Sequence, residues 1–172
     1  TAGYPMQEIF LDSIDANVNK QLGTAPFDGA GTETDPYLIK TADDLKNAIG
    51  TYGMGNYYKL ANDIVLNDVD KIDWATGVVA DGYDANVWFV SDLYTGQEYN
   101  GFAGRGAFTG TLDGDGYAVH GLYIPFSVLS TSSGLVPVTS NATIKNIAIK
   151  NSFMAGGHWT GGITGYSYAN TT

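Results

Sequence analysis

The chain has 172 residues, 44% hydrophobic and 15% charged, with eight Lys and Arg, a formal charge of −10 and no cysteine. That is long enough and apolar enough for one domain with a real core, which excludes a disordered chain. The acidic balance argues against nucleic acid and anionic membranes, which need clustered Lys and Arg, and the missing cysteines exclude a disulfide framework or a thiolate metal site.

With so few charges, the polar surface has to be built from Asn, Thr, Ser, Tyr and backbone amides, the habit of secreted β-proteins. Residues 1–23 read as a leader or the tail of a preceding module, in which Ile9–Ile14 suits a strand or a short helix equally. From residue 24 onward the spacing predicts one β domain. Asp28-Gly29-Ala30-Gly31 is a turn and Pro36-Tyr37-Leu38-Ile39 a short strand. Thr41 then caps a helix of about two turns, with Asp43 and Asp44 at its positive end and Leu45, Ala48 and Ile49 on one face. Gly50 is its stop. Strand-like runs follow at Tyr57–Ala61 and Ile64–Leu66. Residues 67–107 lack a period, which predicts either hidden strands or a functional insertion.

Two internal echoes come next. Val119-His120-Gly121-Leu122-Tyr123-Ile124 aligns with Ile144-Lys145-Asn146-Ile147-Ala148-Ile149 at a shift of 144 − 119 = 25. Gly134-Leu135-Val136-Pro137 aligns with Gly162-Ile163-Thr164-Gly165 at 162 − 134 = 28. Periods in the twenties with short strands and glycine turns predict a parallel solenoid, each rung burying its inward side chains on its neighbours. The first echo predicts Ile144, Ile147 and Ile149 stacked under Val119, Leu122 and Ile124.

A family resemblance rests on these same segments. The run Phe27–Ile39, the capped helix and Tyr58-Lys59-Leu60-Ala61-Asn62-Asp63-Ile64 resemble the opening of GLUG-motif bacterial surface proteins. Phe108–Val119, Ala142–Ile147 and Gly161-Gly162-Ile163-Thr164-Gly165-Tyr166 continue the likeness. It covers most of 27–66 and 106–168, and Pro137 departs from it, standing where glycine would be usual. The resemblance implies an all-β, right-handed parallel β-helix with the short helix closing its N-terminal end. It implies a secreted or cell-surface bacterial protein and no catalytic residues. It also implies further rungs or a partner chain at the C-terminal edge, since nothing charged or helical follows Tyr168.

Catalysis and binding are weighed on particular residues. Asp113 and Asp115 could serve as paired carboxylates of a polysaccharide lyase or hydrolase on the same β-helix. Asp-Gly-Asp-Gly is first of all turn chemistry, however. His120 and His158 lack partners at metal-site spacing, and His120, between inward residues, is expected to face outward. The 67–107 insertion holds both halves of a sugar site. Trp74, Tyr83, Trp88, Tyr94 and Tyr99 offer stacking faces, and acids among them, Asp81 and Asp84 above all, take hydroxyls. The same acids make calcium a candidate ligand, without EF-hand spacing. Otherwise the aromatics cover the solenoid and the acids are solvated loops. The expectation is a non-catalytic adhesion module for polysaccharide or a host or cell-surface glycan, without membrane insertion, nucleic acid or a required cofactor. The alternatives are the enzyme and a structural spacer.

Overall fold

The computed structural model describes residues 27–50, 55–88, 107–125, 132–155 and 159–172; the expected leader at 1–23 lies outside them. The described residues form an all-β fold with one helix. Its opening elements are β1 (Tyr37–Ile39), α1 (Ala42–Ile49), β2 (Tyr57–Leu60) and β3 (Ile64–Val65). A hairpin follows, β4 (Ile72–Asp73) and β5 (Val78–Val79). Then come β6 (Thr111–Asp113), β7 (Ala118–Ile124), β8 (Ser132–Ser133) and β9 (Val136–Ser140). The last four are β10 (Thr143–Lys145), β11 (Ala148–Met154), β12 (Trp159–Thr160) and β13 (Thr164–Tyr168).

Helix α1 forms where its N-cap predicts. The Thr41 hydroxyl accepts from the Asp44 amide at 3.1 Å, and the Asp44 carboxylate accepts from the Thr41 amide at 3.0 Å, so two orphan donors are satisfied reciprocally. Leu45, Ala48 and Ile49 are buried in the common core, and the helix packs beside the edge strand β1.

Apart from the antiparallel β4–β5 hairpin, the strand pairs are parallel. One sheet runs β1-β2-β6-β10, and a second runs β11-β7-β3. The tier β6-β7-β8-β9 pairs strand for strand with the tier β10-β11-β12-β13. The offsets are 143 − 111 = 32, 148 − 118 = 30, 159 − 132 = 27 and 164 − 136 = 28. The repeat of 28 seen at Gly134 and Gly162 is thus the true register of β9 on β13.

The expected shift of 25 is corrected. Ile149 lies beside Val119, Ile144 beside Leu112, and Leu122 and Ile124 face Ser152 and Met154. Ile147 stands instead next to Gly114, at the corner before β7. The false echo has a backbone cause. Both six-residue runs carry a left-handed residue in third place, Gly121 (φ +79°) and Asn146 (φ +54°). Gly121 kinks the middle of β7, whereas Asn146 turns the corner between β10 and β11. The structural counterpart of Gly121 is Asn151 (φ +52°), one kink stacked on the other. Gly121 has a second reason to be glycine: a Cβ there would stand 2.7 Å from the Asn67 carbonyl oxygen. At the corner, Gly114 leaves room for the next tier, because a Cβ would meet the Asn146 carbonyl oxygen at 2.3 Å.

Stacking in register turns sequence alternation into columns. Tyr58, Leu112 and Ile144 share one inward column, and Ile64, Val119 and Ile149 share another. Lys59, Asp113 and Lys145 form an outward column. The inward side chains of β6 and β7, namely Leu112, Val119, Leu122 and Ile124, are buried. Those of the next tier, Ile144, Ile147, Ile149 and Met154, pack on the same core but are only half-buried. Thr172 pairs beyond β10, its amide donating to the Ala142 carbonyl at 3.0 Å and its carbonyl accepting from the Ile144 amide at 2.8 Å.

The columns set the expected order of mutational cost. Leu112→Ala removes a fully buried side chain and should lower unfolding free energy by about 2–5 kcal/mol. Ile144→Ala, in the same column but half-exposed, should cost clearly less in the same urea titration. Equal costs would contradict the difference in cover between the two tiers.

Candidate functional site

The expected binding stretch begins where β3 ends. Residues 66–88 leave the core, form the β4–β5 hairpin and return, and one buried amide closes that excursion. The Asn67 side-chain nitrogen donates to the Asn86 and Gly121 carbonyls, each at 2.8 Å. Its side-chain oxygen accepts from the Asn86 amide at 2.7 Å and from the Tyr83 hydroxyl at 3.2 Å. The Tyr83 hydroxyl in turn accepts from the Asp68 amide at 2.9 Å. A buried amide bonded on both ends is what makes such a polar group tolerable in a core. Asn67 and Asn86 carry no motif in the sequence beyond an Asn directly after the apolar run Ile64-Val65-Leu66.

The hairpin lies on the outer face of β7 and β11. The Tyr123 hydroxyl donates to the Gly77 carbonyl at 3.1 Å, and the Phe153 ring packs against Gly77 so closely that a Cβ there would overlap it. Tyr123 and Phe153 stack with centroids 5.9 Å apart. Residues 67–88 therefore hold short strands of their own and are tied down at both ends.

Of the expected sugar-binding residues, Trp88 has to be withdrawn as a stacking face. It is 3% exposed and belongs to the core, with its indole nitrogen donating to the Leu135 carbonyl at 2.9 Å. A large aromatic with a buried N–H needs such a partner. Trp74 is half-buried at the hairpin, its indole nitrogen donating to the Val69 carbonyl at 2.8 Å. Tyr83 is also half-buried and spends its hydroxyl on the Asn67 network, and no ring contact joins it to Trp74. Asp81 and Asp84 are exposed. Tyr94 and Tyr99 lie outside the described residues. The loop thus brings Trp74, Tyr83, Asp81 and Asp84 into one excursion without building a continuous aromatic wall. A different aromatic pair is formed by Trp159 and Tyr166, on β12 and β13, with centroids 5.1 Å apart.

The acids of the loop serve their own turns. Asp68 accepts from the Asp70 amide at 3.0 Å and Asp73 from the Ala75 amide at 2.9 Å, the local side-chain caps expected of Asp. Among the described residues no three His, Cys, Asp or Glu side chains gather as a metal site would require.

Asp113 and Asp115 take the turn geometry too. Asp115 is left-handed (φ +51°) and its amide donates to the Asp113 carboxylate at 2.9 Å. Asp113 then meets Lys145 at 3.3 Å and accepts from the Asn146 side chain at 3.0 Å, while Asp115 pairs with Lys59 at 2.8 Å. These carboxylates link tiers. His120 faces outward as expected but is partly covered, and lies 3.4 Å from Asp63.

Against known proteins, the chain is similar to halomucin of Haloquadratum walsbyi. The two are 29% identical over 143 residues, which is 83% of this chain and 1% of halomucin. This chain thus spans about a hundredth of the relative it matches. No family model matches, and no solved structure matches. Among the described residues no helix is long and apolar enough to cross a membrane.

Trp88→Ala should behave as a core truncation, lowering unfolding free energy by about 3–5 kcal/mol, whereas Trp74→Ala should cost a fraction of that. Equal, small losses in urea unfolding would mean that Trp88 is not wedged under Leu135.

Acid should loosen the fold through its lowered carboxylates: Lys40 lowers Asp28, and three others are lowered mainly by backbone amides. The Ala118 amide holds Asp63 below its ordinary value of 3.8, with His120 adding to the effect. The Ala75 amide does the same for Asp73. At Asp113, burial pushes upward and is outweighed by the Asp115 amide, Asn146 and Lys145. Folded values below the unfolded ones give stability that is fully present above the unfolded value and lost as pH falls through the folded value. The thermal midpoint should therefore hold from neutral pH to about 5 and fall below about 4. Asp63→Asn, which keeps an acceptor for the Ala118 amide but cannot titrate, should flatten part of that fall. An unchanged acid limb in this variant would remove Asp63 from the account.

Proposed function

We propose that this chain is a non-catalytic module of a secreted or cell-surface protein, built as a right-handed parallel β-solenoid of the GLUG type. The observation that carries the reading is the strand-for-strand parallel pairing of β6-β7-β8-β9 with β10-β11-β12-β13. Four parallel pairs between consecutive segments of nearly equal length are what a coil of stacked rungs requires, and parallel crossovers are right-handed in the great majority of sheets. The similarity to halomucin supports the surface setting; it lends no support to the bacterial source that the family resemblance implies.

The absence of catalysis in this reading rests on the use made of the best acid pair. Asp113 and Asp115 are occupied by Lys145, Asn146 and Lys59, and a hydrolytic pair needs one carboxyl free to donate and one free to attack or activate water. A further rung or a partner chain laid over Ile144, Ile147, Ile149 and Met154 would bury them as Leu112, Val119, Leu122 and Ile124 are buried now.

For a ligand, the reading favours polysaccharide at the 67–88 excursion, with the exposed edge of Trp74 as the stacking surface and Asp81 and Asp84 taking hydroxyls. The spacer reading is favoured by one specific observation, the loss of Trp88 to the core. Retention on immobilised polysaccharides and a glycan array separates the two. Binding should be abolished by Trp74→Ala with the far-UV spectrum unchanged. No retention on any glycan would leave the module a spacer, and retention surviving Trp74→Ala would move the site away from the loop.

A further inference from the structure

The corner between β9 and β10 is turned by an Asn, which suits its left-handed backbone, and the same corner carries a further chemical signature. Asn141-Ala142-Thr143 and Asn170-Thr171-Thr172 are both Asn-x-Ser/Thr sequons, the acceptor pattern for N-linked glycan. They fall at the same corner of consecutive tiers. Ser140 pairs with Tyr168, and the next residue of each strand is left-handed, Asn141 at φ +48° and Ala169 at φ +60°. Thr172, three residues after Ala169, then pairs through its backbone with Ala142 and Ile144, opposite Thr143, and its hydroxyl lies 3.3 Å from that of Thr143.

Both asparagines are exposed, and neither side-chain amide makes a hydrogen bond among the described residues. That sets them apart from Asn67, Asn86, Asn62 and Asn146, whose amides hold loops and corners together. Asn151 is the internal control. It is exposed and left-handed like Asn141, but Phe153 stands where the sequon needs a hydroxyl. Asn141 is itself the left-handed corner residue, and Asn170 directly follows the left-handed Ala169; both side chains are exposed, so a bulky substituent there displaces no packed core atom.

We propose that Asn141 and Asn170 are N-glycosylation sites, so that glycans rise from one corner of successive tiers. The co-substrate is an oligosaccharide carried on a polyprenyl phosphate or diphosphate. The Asn side-chain nitrogen bonds to the anomeric carbon, the bond from that carbon to the phosphate oxygen breaks, and the lipid phosphate leaves with the electron pair. The amide gives up one proton. The inference rests on the extracellular setting proposed above, because this transfer takes place on the outer side of a membrane.

The test is peptide mass spectrometry of the protein recovered from the organism that makes it, with culture medium, envelope and cytoplasm separated. Glycan mass is expected on the peptides carrying Asn141 and Asn170, with the Asn151 peptide bare. Thr143→Val, which keeps Asn141 and a β-branched strand residue, should lose the glycan at Asn141, whereas Thr143→Ser should keep it. Asn141→Gln combined with Asn170→Gln should remove all Asn-linked mass. A chain found outside the cell and bare at both sites would overturn this inference and leave the surface reading intact. A chain found only in the cytoplasm and bare would sink the surface reading and this inference with it.

Discussion

A parallel strand cannot satisfy its backbone within its own turn of chain; its hydrogen-bond partners lie a whole tier away. The rest of this structure follows from that constraint. Buried amides and carbonyls have to be paired, so every strand from β6 to β9 depends on its counterpart in β10 to β13 arriving in register. Register in turn depends on the corners. Where the chain must bend between strands it uses left-handed residues, Asp115 and Gly116 in one tier and Asn146 in the next. The kinks inside β7 and β11, at Gly121 and Asn151, match as well. A tier that bent at a different place would present its apolar residues to the wrong column.

The same constraint explains where polar chemistry is allowed. Inward columns are apolar, and outward columns carry the charges, with Lys59, Asp113 and Lys145 alternating in sign up one face. Such exposed pairs contribute little individually, but their order rewards one register over its neighbours. Ser132, Ser133, Thr139 and Ser140 are buried on β8 and β9, and Asn67 adds a buried amide because an excursion of some twenty residues leaves the stack and has to be returned to it. Its four hydrogen bonds fix the loop mouth, and the hairpin then covers Tyr123 and Phe153 on the outer face. The candidate binding loop is for this reason a part of the fold as well as a surface.

Much of this was legible in the residues. The capped helix, β1 to β3, the turn role of Asp-Gly-Asp-Gly and the 28-residue offset of β9 and β13 all rest on local signals, and local signals survive folding. The register of β7 was misread because a left-handed Gly inside a strand and a left-handed Asn between strands look alike in a string of letters. Only the next tier distinguishes them. Trp88 was misread for a related reason: an aromatic in an irregular, acidic stretch reads as surface, and nothing nearby in sequence announces Leu135, whose carbonyl lies 47 residues away. The hub at Asn67 was missed because a buried Asn carries no pattern until its partners are known.

The account stands on the register of one tier on the next, and interstrand proton contacts in solution measure it directly. With assigned NMR resonances, backbone nuclear Overhauser effects should link Val119 with Ile149 and Leu112 with Ile144, as adjacent parallel strands require. Cross-peaks linking Val119 with Ile144 instead would restore the 25-residue offset, undo the columns described above and contradict the account.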